Sequence, residues 1–309
     1  MKKLMLVVSS LMMIGLMIGM FFYEKQRSSK PVTQKEKLEA QVKEMEQTGP
    51  EVLQPMAADE EISYTLQNDE LSITYDNGET WTKVPINKEL LFQGEYNGNE
   101  QELIEHSYII NNKIAAFLYA NISEGYQNKL LLKYSFDKGK TWEETVITDK
   151  IIGLRFRKVD FLNESFGYVI ISGDRTMSFE ASTVFLTHDG GSSWQETANS
   201  GVTRLISDGG FIDESTGFLS FGTINPEEPD VYVTEDGGET WTNAVFQIPD
   251  DYKRIFVTAE VPIKEGNHLA VLVNQGANGD YKGGKVKGKF LSDDNGKTWE
   301  FQQEVEPNE

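Results

Sequence analysis

Thr234-Glu-Asp236-Gly-Gly238-Glu-Thr240-Trp241 decides the fold of this chain, because it is one of five copies of a single turn sequence. Every copy reads Ser or Thr, any residue, Asp, any residue, Gly, any residue, Ser or Thr, and Trp. The other copies occupy residues 74–81, 135–142, 187–194 and 292–299. The tryptophans that close the five copies are all the tryptophans in the 309 residues, so chance does not explain the repetition.

Each copy has the chemistry of a tight turn between two strands. The aspartate can accept backbone N–H bonds across the turn, the glycine reaches positive φ, and the hydroxyls can bond the remaining turn groups. The indole then packs a large apolar face beneath the hairpin. We therefore predict structural roles for the Asp, Gly and Trp of every copy. These residues are Asp76, Gly78, Trp81, Asp137, Gly139, Trp142, Asp189, Gly191, Trp194, Asp236, Gly238, Trp241, Asp294, Gly296 and Trp299.

The spacing of the copies predicts the architecture. Their aspartates lie 61, 52, 47 and 58 residues apart, which is the length of a four-stranded propeller blade with its loops. The sequence therefore predicts an all-β, Asp-box type β-propeller over residues 60–305. Five blades are favoured, and a sixth blade without a copy is the alternative. The first blade is short of an inner strand, which either residues near 52–56 or the C-terminal end would supply.

The repeated turn is similar to the Asp-box (BNR) repeats of sialidases, sortilin-type receptors and the photosystem II assembly-factor family of propellers. Two hairpins, at residues 161–169 and 211–219, extend the resemblance to the assembly-factor type, since both read Phe, any residue, Asn or Asp, then Gly and an aromatic residue. That resemblance implies a role in folding or assembling membrane or envelope proteins. It is specific for the fold and poor for function, because one fold serves many functions.

The first 59 residues differ from the rest. Residues 4–23 are uncharged and follow Lys2 and Lys3, and a helix of that length, at about 1.5 Å per residue, crosses a hydrocarbon core of about 30 Å. No small-residue cleavage site follows, so an uncleaved signal anchor is favoured over a cleaved signal. We expect a single-pass anchor at 1–23, a charged, partly helical stalk at 24–59, the propeller at 60–305 and an acidic tail at 306–309. The propeller would lie on the extracytoplasmic side of a bacterial cell membrane.

Composition excludes several classes of function. The formal net charge of −20 argues against nucleic acid as a partner, since phosphates require a basic surface. The chain has no cysteine, which removes disulfides and thiolate metal ligands. His106, His188 and His268 are scattered and form no ligand pair. We assign no metal and no cofactor.

The resemblance to sialidases raises a catalytic alternative. Such enzymes place three arginines around the substrate carboxylate, the first of them ahead of the first box, but this chain has no arginine between Arg27 and Arg155. A glycosidase that uses two carboxylates needs one with a raised pKa, and 49 acidic residues do not nominate a pair. We predict a non-catalytic scaffold. A sialidase-like or other glycoside hydrolase acting on cell-surface glycans is the alternative.

The arginines mark a candidate binding face. In a propeller the loops opposite the box turns join the second and third strands, and here they are long: residues 122–128, 173–182, 223–230 and 276–286. The arginines beyond the stalk all fall on that face. They are Arg155, Arg157, Arg175, Arg204 and Arg254. Guanidinium groups pair bidentately with carboxylates and phosphates, so we predict that these residues bind a protein segment or an anionic glycan. Local pairing with nearby acids is the alternative.

Overall fold

The computed structural model of the chain describes residues 56–57, 61–122, 128–151, 153–177, 179–222, 225–276 and 279–306, together with Met17 and Met20. All but Met56 and Ala57 of the predicted stalk, most of the tail and all but two residues of the predicted anchor lie outside these ranges. Among the residues described, no helix is both long and apolar enough to cross a membrane. The chain divides into two compact units, Met1–Val52 and Leu53–Glu309, and all the sheets belong to the second.

Five sheets follow one another along the second unit. The first contains β1 (Met56–Ala57), β2 (Ser63–Thr65), β3 (Ser72–Thr74) and β4 (Thr82–Lys83). The second contains β5 (Tyr108–Ile110), β6 (Ala115–Asn121), β7 (Lys129–Ser135) and β8 (Glu143–Thr148). The third contains β9 (Phe156–Phe161), β10 (Gly167–Thr176), β11 (Phe179–Thr187) and β12 (Gln195–Glu196). The fourth contains β13 (Leu205–Phe211), β14 (Gly217–Gly222), β15 (Asp230–Thr234) and β16 (Thr242–Asn243). In all four the strands pair in chain order.

The fifth sheet is larger. It contains β17 (Val245–Gln247), β18 (Phe256–Ala259), β19 (Ile263–Glu265), β20 (His268–Gln275), β21 (Lys287–Ser292) and β22 (Thr298–Val305). β17 pairs in parallel with β22, while the other pairs are antiparallel. The described helices are short: α1 (Lys88–Leu91) and the 3-10 turns Gln67–Asp69, Asp250–Tyr252 and Tyr281–Gly284. The prediction of an all-β fold is confirmed.

The first sheet takes its first strand from the N-terminal side. Met56 lies opposite Tyr64, so β1 pairs with β2, and the sheet starts four residues before the predicted boundary at residue 60. The C-terminal strand β22 pairs instead with β21 and β17. Of the two sources considered for the missing strand, the structure uses the N-terminal one.

Every box turn joins the third and fourth strands of a four-stranded meander and is closed by the same hydrogen bonds. In the first box, the Asp76 Oδ1 accepts from the Thr80 amide at 2.8 Å, and the Thr74 hydroxyl accepts from the Gly78 amide at 2.9 Å. The same set recurs in the other four boxes. Hydrogen bonds from Thr80 and Thr74 lower the pKa of Asp76 to about 2. The box residues are therefore occupied in building the turn.

The apolar core lies between consecutive sheets. One buried cluster lies at each of the four junctions between consecutive sheets, from the first sheet to the fifth, and we call these junctions seams. The tryptophans of the second to fifth boxes each pack in the seam between their own sheet and the preceding one. These tryptophans are Trp142, Trp194, Trp241 and Trp299. Trp299 is fully buried and stacks on Phe246 with ring centroids 5.8 Å apart. Sheets that succeed one another and bury side chains face to face have the arrangement of propeller blades.

The first box lacks such a seam. Within the described ranges, no apolar cluster joins the fifth sheet to the first, and Trp81 belongs to none of the four clusters. The glycines show the same difference, because a Cβ added at Gly296 would lie 2.3 Å from the Phe218 ring of the preceding sheet. A Cβ added at Gly78 would meet atoms of Trp81 alone, none closer than 3.6 Å.

Candidate functional site

Four polar side chains come together where the third and fourth sheets meet. The Lys158 Nζ on β9 lies 2.6 Å from the Asp208 Oδ1 on β13, an ion pair that joins the two sheets. The Tyr168 hydroxyl on β10 donates to the Asp160 Oδ2 at 3.4 Å, and Tyr168 lies directly opposite Asp160 in the sheet. We call Lys158, Asp160, Tyr168 and Asp208 the inner-strand cluster, because β9 and β13 are the first strands of their sheets.

Strand alternation places these groups on one side. Lys158 and Asp160 are two residues apart on β9 and so point to the same face, while Val159 and Phe161 pack on the other face in the seam with the second sheet. Gly210 provides the room opposite. A Cβ at that position would lie 2.6 Å from the Tyr168 hydroxyl oxygen, so only glycine lets β13 approach this close.

The two carboxylates of the cluster occupy different environments. Burial raises the pKa of Asp160 above its ordinary value, even though the Phe161 amide donates to its Oδ1 at 2.8 Å. Asp208 is ion-paired and its side chain keeps 21% exposure. Burial also raises the pKa of Tyr168 far above its ordinary value, and the charges of Asp160 and Asp208 both add to that rise. Asp160 therefore contacts a buried hydroxyl, and Asp208 lies across the same junction on Lys158.

This arrangement can perform acid–base chemistry. A carboxyl that keeps its proton to a higher pH is suited to donate it, and a carboxylate paired with a lysine remains available as a base or nucleophile. Pairs of carboxyl groups whose surroundings differ in this way concentrate at functional sites.

Two of the predicted arginines also lie where the third and fourth sheets meet. They precede β9 and β13, at the ends of these strands that lie away from the box turns. The Arg155 Nη1 donates to the Glu180 Oε2 at 2.9 Å, and the Glu180 amide donates to the carbonyl of Thr203. The next residue, Arg204, binds Asp230 through two nitrogens, and this pairing raises the pKa of Arg204. The structure thus brings Arg155 and Arg204 to one seam, each with a carboxylate partner.

Arg157 and Arg175 occupy other surroundings. Arg157 is 1% exposed, and its guanidinium donates to the carbonyls of Leu91, Gln93 and Tyr96 at 2.8–3.2 Å. Burial lowers its pKa to about 10. Because Arg157 holds the backbone that follows α1, it cannot reach a partner at the surface. Arg175 lies on an exposed hairpin end, where its Nε donates to the Met177 carbonyl.

Arg254 borders a cleft between the fourth and fifth sheets, which we call the loop-face cleft. Its volume is about 830 Å³, and its lining includes Asn225, Glu227, Arg254, Gln275 and Tyr281. Arg254 has a left-handed backbone (φ 66°) and pairs with Glu227 while staying 72% exposed. The Gln275 Nε2 donates to the carbonyls of Tyr281 and Val286. The Gln275 Oε1 is buried and has no hydrogen-bond partner among the described residues. Two of the predicted long loops contribute to this cleft.

The described residues hold no group of three or more histidine and acidic side chains arranged for a metal ion. His188 lies 3.7 Å from Glu214, and His268 pairs with Asp293, so each is beside a single acid.

Comparison with known proteins supports the repeat. The BNR/Asp-box repeat model matches residues 290–301. No curated protein matches the chain in sequence. Among solved structures, the chain is similar to a GH74 xyloglucanase from Xanthomonas campestris, with 14% identity, a TM-score of 0.42 and coverage of 80% of this chain and 37% of that one. It is also similar to a GH43_1 enzyme from Xanthomonas citri, with 11% identity, a TM-score of 0.38 and coverage of 64% of this chain and 72% of that one. A third similar structure is a Hadza microbial sialidase, with 16% identity, a TM-score of 0.41 and coverage of 78% of this chain and 52% of that one.

The chain therefore carries the BNR/Asp-box repeat, which the family model matches at residues 290–301. The finer resemblance to photosystem II assembly factors finds no support among these matches. The prediction that the chain is not an enzyme is contradicted, because the named neighbours are glycoside hydrolases. The chain spans 37% of the xyloglucanase and 52% of the sialidase, and at these identities the likeness concerns the fold and assigns no substrate.

Sequence reasoning missed the inner-strand cluster. A signal for it exists, because aligning the two repeated hairpins on Phe161 and Phe211 places Lys158 and Asp208 at the same position, three residues earlier. Opposite charges at one position of neighbouring repeats predict an ion pair between blades. Asp160 carries no such signal, since only burial distinguishes it from the other acidic residues.

Proposed function

We propose that the chain is a glycan-acting propeller of the glycoside hydrolase type, with the inner-strand cluster as its reactive site. One observation carries the proposal: Asp160, bonded to the buried Tyr168 hydroxyl, and Asp208, ion-paired with Lys158 of the neighbouring strand, lie where the third and fourth sheets meet. Cleavage of a glycosidic bond requires this combination, because one carboxylic acid protonates the leaving oxygen while a second carboxylate is ionised.

In this proposal Asp160 is the proton donor. Its burial favours the neutral acid, which holds a proton for the glycosidic oxygen. Asp208 is the ionised partner, and Lys158 holds it in place across the seam at 2.6 Å. Asp208 would act either on a water molecule or on the sugar carbon. Tyr168 is a positioning residue, because its hydroxyl bonds to Asp160 from the neighbouring strand.

The arginines favour an uncharged sugar at the point of cleavage. A sialic acid carboxylate would need free guanidinium groups, but Arg155 and Arg204 already bind Glu180 and Asp230. Arg157 is buried on three carbonyls. We therefore propose a neutral glycoside as the substrate class and not a sialoside.

The test is hydrolysis of nitrophenyl glycosides and neutral polysaccharides by the full-length protein. Asp160→Asn and Asp208→Asn are each expected to lower kcat by about 10²- to 10⁴-fold. Asp251→Asn, an exposed acid away from the cluster, is the matched control and should keep full activity. Circular dichroism verifies that each variant is folded. The absence of turnover by the native protein on the whole panel would refute the proposal.

A second candidate function is capture of a protein segment or an anionic glycan at the loop-face cleft. The observation that favours it is the exposed Arg254, which has a left-handed backbone and pairs with Glu227 in a cleft also lined by Gln275, whose amide oxygen has no partner among the described residues. Arg254→Gln should abolish capture of a partner from solubilised membranes, whereas Lys253→Gln should not. Equal capture by both variants would eliminate this cleft as the binding site.

We also propose that residues 4–23 anchor the protein in a cell membrane with the sheets outside, on the strength of their length and lack of charge. Membrane fractions should retain the chain after carbonate washing, and external protease should digest it in intact cells. Recovery in the soluble fraction would refute the anchor.

Five blades are the proposed count. The five successive sheets, each with one box turn, support it. A sixth sheet in an experimental density map would overturn it.

A further inference from the structure

A second cleft opens on the rim that carries the box turns, between the second and third sheets. Its volume is about 780 Å³. The β5–β6 hairpin contributes residues 111–114, the β9–β10 turn contributes residues 161–165, and Phe136 of the second box completes the lining. We call this cleft the box-side shelf. It belongs neither to the inner-strand cluster nor to the loop-face cleft.

The floor of the shelf is apolar and held in place. Phe136 is 42% exposed and Leu162 is 39% exposed, although both are large apolar side chains. The Phe136 ring packs edge-on against Tyr134 and Phe161, with centroids 5.7 Å and 6.2 Å away. Phe161 in turn packs against Trp194 at 6.0 Å. The exposed Phe136 ring is therefore held between two neighbouring aromatic rings.

The rim of the shelf is polar, and the turns orient its amides. The Asn111 Oδ1 accepts from the amides of Lys113 and Ile114, and the Asn163 Oδ1 accepts from the amides of Ser165 and Phe166, all at 2.8–3.0 Å. Each carbonyl oxygen is thus used within its own turn. In the ranges that the structure describes, neither amide nitrogen donates a hydrogen bond. Both remain available as donors at the edge of the apolar floor.

The chemistry of this lining selects the ligand. A pyranose ring has an apolar C–H face, which suits contact with an aromatic ring, and a circle of hydroxyls, which bond to amides and carboxylates. Lys113 and Glu164 are the charged residues of the lining, and their charges balance. No arginine is present in it to favour an anion. A concave, partly apolar site with a few polar groups at its edge is the usual form of a small-ligand site.

We propose that the box-side shelf binds a neutral pyranose unit of a glycan chain, with the sugar on Phe136 and its hydroxyls bonded to Asn111, Asn163 and Glu164. The site binds without reacting, so it does not depend on the chemistry at Asp160. A shelf on the box-turn rim would keep a polymeric glycan attached to the protein while the opposite face remains free.

The test is saturation-transfer NMR and titration calorimetry of the full-length protein with the neutral tetrasaccharides cellotetraose, xylotetraose and maltotetraose. At least one of them is expected to bind, and Phe136→Ala should weaken that binding at least tenfold. Asn163→Asp keeps the oxygen that accepts the two turn amides and removes the donor, so it should weaken binding without unfolding the turn. Tyr96→Ala removes an exposed aromatic ring elsewhere and should bind like the native protein.

The outcomes separate this site from the proposed reactive site. Phe136→Ala should weaken binding by the same factor in the Asp160→Asn background as in the native protein, because Asp160 does not line the shelf. The proposal is overturned if none of the three sugars binds, or if Phe136→Ala and Tyr96→Ala bind equally well. Loss of binding in Asp160→Asn alone would also overturn it, since the sugar would then occupy the inner-strand cluster.

Discussion

Replacing box tryptophans one at a time tests how the sheets are held together. Trp299→Ala removes an indole that is fully buried between the fourth and fifth sheets, where it stacks on Phe246 and meets Phe218 edge-on at 6.2 Å. Trp81→Ala removes the equivalent indole of the first box, which is only partly buried and joins no described cluster. The two substitutions delete the same atoms from the same repeat position, so each is the control for the other.

The magnitudes follow from burial. A buried tryptophan removes about 150–250 Å² from water, which at about 25 cal/mol per Å² corresponds to about 4–6 kcal/mol. Measured losses for buried aromatic-to-alanine changes are about 3–5 kcal/mol. We expect Trp299→Ala to lower the free energy of unfolding by that amount, and Trp81→Ala by about 1 kcal/mol, which is typical of a partly exposed site.

Urea denaturation of the full-length protein, followed by circular dichroism, measures both changes. The midpoint should fall much further for Trp299→Ala than for Trp81→Ala, and Trp299→Phe should recover part of the loss. Equal losses in the two alanine variants would show that the first box seals a seam as tight as the others. The seam-by-seam description of the core would then be wrong.

Three further predictions concern the charged groups. Four box aspartates have folded pKa values of about 2, below an unfolded value of about 3.9: Asp76, Asp137, Asp189 and Asp236. Their contribution to the stability of the folded protein is therefore complete above about pH 4, and it should disappear as the pH falls toward about 2. A urea midpoint that stays constant across this window would contradict that. Asp160 has the opposite effect on stability, because its folded pKa is raised and its ionised form therefore destabilises the folded protein. Asp160→Asn should raise the melting temperature at pH 7, and this increase should shrink as the pH is lowered. A lower melting temperature of the variant at pH 7 would contradict this prediction. Arg157→Met should cost about 2–4 kcal/mol in urea denaturation because three carbonyls lose their donor, whereas Arg175→Met should cost almost nothing.

The turns and their order could be read from the sequence because the information is local. Each box holds its own hydrogen-bond donors and acceptors within seven residues, so the sequence of Thr234 to Trp241 already specifies the turn between β15 and β16. The hairpins beginning at Phe161 and Phe211 were recognisable for the same reason, and they became β9–β10 and β13–β14.

The site depends on contacts between sheets, which a single sequence does not record. Arg155 and Arg157 are two residues apart and look alike in the sequence, yet one is half-exposed on Glu180 and the other is buried under α1 and the segment that follows it. Asp160 acquires its raised pKa from burial where two sheets meet, which the sequence does not record. Phe136 occupies a variable box position, and it lines a cleft because the β5–β6 hairpin and the β9–β10 turn of the neighbouring sheet lie beside it.

The state of Asp160 is the most direct test of the proposed chemistry. Carboxyl carbon NMR of the full-length protein, with Asp160→Asn to assign the resonance, gives the midpoint of its titration. The inner-strand cluster predicts a midpoint above the ordinary aspartate value of about 3.9. A midpoint at or below that value would mean that Asp160 is fully ionised at neutral pH and could not supply the proton.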